Sequence, residues 1–183
     1  MQNPEPKVPQ NLHPLASEIL DHLRSHPEAA AIILGGGVAL QHYCPYRPTK
    51  DIDAWWQAGP VPETQDRIKE ILNEVCLKHG YMLKIRNWGE TESYELQQDE
   101  VTIFSFQIAL RTTELESPLR SFWDPVKIET LRENISCKMN AIVARGAPRD
   151  FLDVFEVCNQ GLATPEECWD LWQQKNADKD MRS

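Results

Sequence analysis

Two aspartates, Asp51 and Asp53, flank Ile52 at the start of the apolar segment 51–56, which predicts a β-strand. Residues at i and i+2 of a strand point to the same face, so the two carboxylates are expected about 7 Å apart. Paired carboxylates repel each other unless a cation lies between them, and Mg²⁺ prefers carboxylate oxygens together with substrate phosphates. The pair therefore predicts a magnesium site, although two solvated aspartates at a strand end would show the same pattern.

Three consecutive glycines, Gly35 to Gly37, follow the apolar segment 29–34. This order predicts a buried strand, a glycine turn and a short helix over residues 38–43. Glycine lets the backbone approach a phosphate closely, and the amides at the start of a helix point toward it. Gly35 and Gly36 are therefore candidate phosphate-binding residues, with a plain strand-to-helix turn as the alternative. The segment is not a P-loop, because no Gly-Lys-Ser/Thr sequence follows it.

A helix with a cationic face is predicted further along the chain. Thr130 and Glu133 have the spacing of a capping box, which predicts a helix from there to about Ala144. Lys138 and Arg145 are seven positions apart and so share one face of that helix. They could neutralise a triphosphate, or they could belong to a solvated helix face.

Two further aspartates, Asp150 and Asp153, are three positions apart on the next predicted helix, residues 149–159. That spacing again places them on one face, although a surface ion pair between Arg149 and Asp153 would contribute little. Arg47 and Lys50 precede the first aspartate pair. They are candidates for binding phosphate or an acceptor, or they are ordinary loop charges.

The two blocks together resemble the AbiEii-type group of the nucleotidyltransferase superfamily. The residues that carry the resemblance are GGGVALQH from Gly35, RPTKDID from Arg47, and KMNAIVARGAPRDFLD from Lys138 to Asp153. The resemblance spans about residues 32–161. It implies a nucleotidyltransferase-type mixed β-sheet flanked by helices, with a C-terminal helical part.

The resemblance also implies an activity and partners. The implied reaction transfers a nucleoside monophosphate from an NTP to an RNA, tRNA ends in particular, or to a protein hydroxyl. Mg²⁺ or Mn²⁺ would bind Asp51 and Asp53, Lys138 would contact phosphate, and Asp150 or Asp153 would help to organise the site. The group contains toxins of abortive-infection and type IV toxin–antitoxin systems, which implies an antitoxin as a partner.

One feature departs from the superfamily, which normally adds a third carboxylate from a neighbouring strand. The matching strand is predicted at residues 101–110, where Ser105 and Gln107 lie on the polar face. A neutral amide is a poor Mg²⁺ ligand and no base, and Glu95 on the adjacent predicted strand is the one candidate replacement. The alternative function is therefore a catalytically silent nucleotidyltransferase fold that binds nucleotide or a partner. A third reading, in which both blocks only determine the fold, also stays open.

Net charge and composition exclude several classes of protein. The 183 residues carry a net charge of −9, which disfavours a protein that coats nucleic acid. No segment predicts a membrane helix or a signal peptide, and five scattered cysteines without a Cys-x-x-Cys pair favour reduced thiols in a cytoplasm.

The order of predicted elements gives an α/β or α+β class. We expect a flexible arm (1–12), one nucleotidyltransferase-like domain (13–174, with a sheet-containing core over 13–129 and C-terminal helices over 130–174) and a polar tail (175–183). The remaining predicted helices cover 14–26, 64–78 and a segment that starts at Thr164, and the remaining strands cover 81–88, 93–98 and a short edge strand at 126–129.

Overall fold

The computed structural model describes residues 3–111 and 113–177 and has a mixed α+β fold. Its helices are α1 (Pro14–Leu23), α2 (Gly36–Leu40), α3 (Pro62–His79), α4 (Leu131–Arg145), α5 (Pro148–Asn159) and α6 (Pro165–Asn176). Its strands are β1 (Ile32–Leu34), β2 (Asp51–Trp56), β3 (Met82–Trp88), β4 (Thr91–Gln98), β5 (Val101–Ala109), β6 (Leu119–Arg120) and β7 (Lys127–Ile128). None of the helices in this part of the chain is long and apolar enough to cross a membrane.

The seven strands form one mixed sheet in the order β3-β4-β5-β2-β1-β7-β6. β2 pairs with β5 in parallel and with β1 antiparallel, and β7 pairs with β1 in parallel. The predicted edge strand at 126–129 is therefore wrong in its position. β7 is an interior strand, because the short strand β6, which carries no strong pattern of its own, pairs with its outer side.

Local sequence signals explain most of the element boundaries. Gly80 and Gly146 adopt φ of 71° and 60° directly after α3 and α4, as expected for left-handed C-terminal caps. Thr164, where the last helix is predicted to start, forms a capping box with Glu167. The predicted strand over 29–34 is shorter than expected, because Pro27–Ala31 form a 3-10 helix and β1 begins only at Ile32.

Alternation along β2 divides the protein into two layers. Ile52, Ala54 and Trp56 are buried in the core that joins the sheet to α1 and α3, whereas Asp51, Asp53 and Trp55 point to the opposite face. A second core cluster joins α4, α5 and α6 to α2. The aspartate-bearing face of the sheet is therefore turned toward the C-terminal helices.

The ends of the described chain are tied to this body. Residues 3–13, the described part of the chain before α1, form no helix or strand, and the Lys7 N–H donates to the His42 carbonyl at 2.8 Å. Helix α6 continues to Asn176 and Lys175 is buried, so residues 175 and 176 belong to this helix and not to the polar tail expected there. Residues 178–183 lie outside the described part of the chain, and the division into arm, domain and tail stays a prediction.

Candidate active site

The carboxylates of β2 lie beside a polar row on β5. Register places Asp51 opposite Ser105 and Asp53 opposite Gln107. The neighbouring strand position is thus occupied by a neutral amide, as the alternation of β5 predicts. Because paired residues on adjacent strands lie about 5 Å apart, a carboxylate at position 107 would stand next to Asp53.

The carboxylate of Asp53 differs from that of Asp51 in its hydrogen bonds. Within residues 3–111 and 113–177, no donor hydrogen bonds to its carboxylate, whereas Asp51 accepts a short hydrogen bond from the Thr49 hydroxyl. Burial and the charge of Asp51 raise the pKa of Asp53 to about 6, although Lys138 and Arg145 oppose the shift. A carboxylate pair under this repulsion has the donor set and the electrostatic need for a divalent cation.

The glycine turn packs directly against Asp53. Gly36 has φ of 52°, and a Cβ at this position would overlap the Asp53 carboxylate, so both the backbone conformation and the close approach require glycine. The Gly35 N–H donates to the Asp53 carbonyl at 2.8 Å and is occupied by the sheet ladder. Gly36 and Gly37 line the cavities described below, whereas the candidate Gly35 lies behind them against Trp55.

The opposite wall consists of two ion pairs between α4 and α5. The buried Lys138 Nζ lies 2.5 Å from Asp153 Oδ2, and the mostly exposed Arg145 Nη2 lies 3.0 Å from Asp150 Oδ2. The spacing prediction for both helices is therefore reflected in the structure, because all four side chains meet at this wall. Each cation is held by a carboxylate of α5, and all four side chains line the cleft.

Asp153 also holds the loop that leads into β2. Arg47 donates to both of its oxygens at 2.9 Å, and the Tyr46 hydroxyl makes a short hydrogen bond to it. Burial opposes ionisation of Asp153, but the hydrogen bonds from Arg47 and Lys138 outweigh it and lower its pKa. The expected alternative, a surface pair with Arg149, is wrong. Asp153 is fully buried and pairs with residues far away in the sequence.

Two adjoining cavities lie between the sheet and α4–α5. Their volumes are about 520 Å³ and about 400 Å³, and they share Asp53, Gln107, Lys138, Arg145 and Asp150. The second cavity is strongly charged, since four carboxylates and four cations line it. They are Asp51, Asp53, Asp150, Asp153, Arg47, Lys138, Arg145 and Arg149. The formal charges balance, so binding a divalent cation would leave this cavity positive and ready for a polyphosphate.

The first cavity is more apolar. Strand register places Trp55, Ala109, Thr91 and Trp88 in one row across β2, β5, β4 and β3, and all four residues line the cavity. Two indoles thus stand at the ends of a floor of small residues. Trp56 is buried in the core, whereas its neighbour Trp55 is only partly buried and lines this cavity.

Two candidates from the sequence lie outside the cleft. Lys50 is exposed and is not among the described residues that line either cavity. Glu95 lies opposite Ser105 on β4, but its carboxylate is 3.2 Å from Arg86 on the edge strand β3. Glu95 therefore does not replace the missing third carboxylate beside Asp53.

Comparison with known proteins identifies the family. The sequence matches the family model described as "Nucleotidyl transferase AbiEii toxin, Type IV TA system" over residues 18–182. The chain belongs to the AbiEii family. A search of curated proteins finds no match.

Solved structures show distant likeness to this AbiEii chain. It is similar to the Megavirus polyadenylate synthase at 7% identity and a TM-score of 0.47, over 98% of this chain and 39% of that one. It is also similar to a cytoplasmic RNA terminal U-transferase at 14% identity and a TM-score of 0.29, over 54% of this chain and 28% of that one. The AbiEii chain thus spans about two fifths of the viral protein.

Sequence reasoning missed a buried ionic cluster behind the glycine turn, which we call the Glu129–Glu133 cluster. Arg111 lies 2.8 Å from Glu129 and 3.1 Å from Glu133, and Lys175 makes a short contact with Glu133. Arg111 and Lys175 come from segments far from Glu129 and Glu133, and no local pattern predicts that they meet these carboxylates. Ligand atoms of Glu129, Glu133 and Cys137 lie within 4.8 Å of one another, but the two cations already balance the two carboxylates.

Asn134 connects this cluster to the cleft. Its amide group donates to Gly36 O at 3.0 Å and to Glu129 Oε2 at 2.9 Å. It therefore fixes the peptide bond that follows Gly36. Gly36 is the residue that packs against Asp53. The expected capping box at Thr130 is only half formed, because Glu133 turns its carboxylate to Arg111, Lys175 and the N–H of Leu115.

Proposed function

We propose that this AbiEii-family chain is a Mg²⁺-dependent nucleotidyltransferase that transfers a nucleoside monophosphate from an NTP to an acceptor hydroxyl. The observation that carries the proposal is the unpartnered carboxylate of Asp53 beside Asp51, opposite two cations on α4. Unpaired charge in a partly buried cleft destabilises a fold, and such residues are found at functional sites.

Each residue of the cleft has a role in this proposal. Asp51 and Asp53 would hold Mg²⁺ or Mn²⁺. The bound cation would neutralise charge on the triphosphate and make the attacking hydroxyl more acidic. Lys138 and Arg145 would bind phosphate oxygens from the helix side. Gly36, as well as Gly37 after it, would let the triphosphate approach the backbone closely.

Asp150 is the proposed proton acceptor. It is largely buried at the junction of both cavities, and Arg145 lies 3.0 Å from it. A carboxylate here could accept the proton from a hydroxyl that attacks from the charged cavity. Gln107 cannot take this role, because a neutral amide is no base. Catalysis would otherwise rest on positioning and on fixed charges.

The acceptor and the biological setting are inferred from the family. The proposed acceptor is an RNA, with a tRNA end as the leading candidate, or a protein hydroxyl. The proposed role is that of a cytoplasmic toxin that a cognate antitoxin opposes. The charged cavity, with Arg47 and Arg149 on its rim, offers the cations that an RNA phosphate would need.

The test uses purified protein with Mg²⁺, four α-labelled NTPs, and total tRNA or cell lysate as acceptors. The wild type should transfer label, and the Asp51→Asn/Asp53→Asn double variant should not. Asp66→Asn on α3 removes a carboxylate far from the cleft and should behave like the wild type. Absence of transfer by the wild type with every NTP and acceptor would contradict the enzymatic proposal.

The second candidate function is a catalytically silent nucleotide-binding module. Gln107 favours it, because the register puts a neutral amide where a third carboxylate would complete the site. This candidate predicts Mg²⁺-dependent NTP binding that Asp53→Asn removes, without transfer of label. Calorimetric titration of NTP beside the labelling assay therefore separates the two functions.

A further inference from the structure

Helix α5 presents an apolar stripe to solvent on the side away from its buried residues. Phe151, Leu152 and Phe155 are 53%, 45% and 61% exposed. Their spacing places them within about 100° of one another around the helix, so they form a single surface about one turn long. Isolated exposed apolar residues are ordinary, whereas contiguous apolar surfaces are often interaction sites.

Two opposite charges flank this stripe on the same side. Arg149 and Glu156 are seven positions apart, so they lie about two turns from each other along one flank. Neither side chain has a hydrogen-bond or ion-pair partner within residues 3–111 and 113–177. A separation of about 10 Å along the helix keeps them from pairing with each other.

We propose that the α5 stripe is a self-association surface that pairs two copies of this chain through antiparallel α5 helices. Rotation about a two-fold axis between the helices brings residue i of one copy to residue j of the other, and the reverse. With the axis near position 153, Phe151 packs against Phe155 of the second copy. The same rotation brings Arg149 of each copy to Glu156 of the other.

Charge complementarity identifies a second copy as the occupant. In an antiparallel pair, residues on the same flank of both helices meet, and this flank carries one cation and one anion at mirrored distances from the centre of the stripe. Both ion pairs therefore form at once. An unrelated partner would need an anion and a cation at the matching positions, whereas a second copy already contains both.

The association is expected to be weak. Three half-exposed side chains supply roughly 300 Å² of apolar surface in each copy, whereas a stable interface buries about 800 Å² per partner. A dimer should therefore form only at concentrations on the order of 100 µM. It would bring a second copy close to the charged cavity, since Arg149 also lines that cavity.

Sedimentation equilibrium of the full chain from about 5 to about 500 µM tests the proposal. The wild type should show a mass that rises toward that of the dimer, and Phe155→Glu should remain monomeric with an unchanged circular dichroism spectrum. Leu77→Glu on α3 is the matched control, because Leu77 is 83% exposed away from the stripe. It should associate like the wild type.

Charge reversal tests the geometry independently. Arg149→Glu and Glu156→Arg should each weaken association at least about fivefold by placing like charges together, and the double variant should restore it. A wild-type chain that stays monomeric throughout the range would overturn the proposal. Dimers that persist in Phe155→Glu, or that fail to recover in the double variant, would overturn this interface. The readout is mass, so the result does not depend on whether the chain transfers nucleotides.

Discussion

Two pairs of carboxylates lie against the same glycine turn, and they differ in how their charge is balanced. Glu129 and Glu133 are each matched by a buried cation, Arg111 or Lys175. Among the described residues, neither Asp51 nor Asp53 has such a partner, and burial and the charge of Asp51 raise the pKa of Asp53 to about 6. Proximity of acidic side chains alone would indicate a metal site at both places. Charge balance favours a structural cluster at the first and supports the proposed cation site at the second.

Removing the charge of Asp53 is expected to have the largest effect, which is on NTP binding and transfer. Asp53→Asn keeps the shape of the side chain and removes the charge that would hold the cation. Mg²⁺-dependent binding of NTP should fall at least about 100-fold, because losing a direct ligand exceeds the 10–100-fold loss seen for residues behind one. Calorimetric titration measures this effect, and normal binding by the variant would refute the assignment of Asp53.

Removing a cation from the Glu129–Glu133 cluster should lower the free energy of unfolding. Lys175→Met leaves Glu133 buried with Arg111 alone, and removal of one partner from a buried ion pair costs about 3–5 kcal/mol. Urea unfolding should show this loss in the free energy of unfolding, and the folded variant should still bind NTP with Mg²⁺. A loss below about 1 kcal/mol would mean that the cluster does not stabilise the fold as its geometry indicates.

Asp53 should make the metal-free protein less stable at neutral pH. Because its pKa is raised from 3.8 to about 6 in the folded chain, its favourable contribution is fully present below pH 3.8 and is lost as the pH rises through 6. Asp53→Asn should therefore raise the free energy of unfolding at pH 7 by about 1–3 kcal/mol. Thermal unfolding without metal between pH 4 and pH 8 checks this, and equal stability of both proteins at pH 7 would contradict the shift.

The smallest expected effect comes from restoring a third carboxylate. Gln107→Glu puts an anion next to Asp53 and should tighten Mn²⁺ binding about tenfold. Gln98→Glu on the exposed end of β4 is the matched control and should change nothing. Weaker Mn²⁺ binding by Gln107→Glu in a folded protein would show that the cleft is built for two carboxylates only.

Local patterns in the sequence predict the parts of the site that one element supplies. Alternation places Gln107 on the face of Asp53, and helical spacing places Lys138 and Arg145 on one wall. These predictions succeed because strand and helix periodicity fix which residues share a face. The cation and metal roles of these residues stay predictions.

Long-range pairing explains what the sequence could not predict. Asp153 pairs with Arg47 across more than a hundred residues, whereas the alternative drawn from the sequence was a surface pair with Arg149. The Gly35 amide is occupied by Asp53 because of strand register, which no local signal specifies. The same holds for Lys175, which was expected in a polar tail and instead reaches Glu133. Tertiary packing decides each of these contacts.

Electron paramagnetic resonance can measure Mn²⁺ binding to the metal-free protein. This measurement tests the difference between the two carboxylate pairs most directly. Cys137→Ala alters the acidic cluster without breaking an ion pair, and Asp53→Asn alters the unbalanced pair. The wild type and Cys137→Ala should bind Mn²⁺ with equal affinity, and Asp53→Asn should lose it. Retained binding in Asp53→Asn together with lost binding in Cys137→Ala would place the cation in the Glu129–Glu133 cluster and contradict this account.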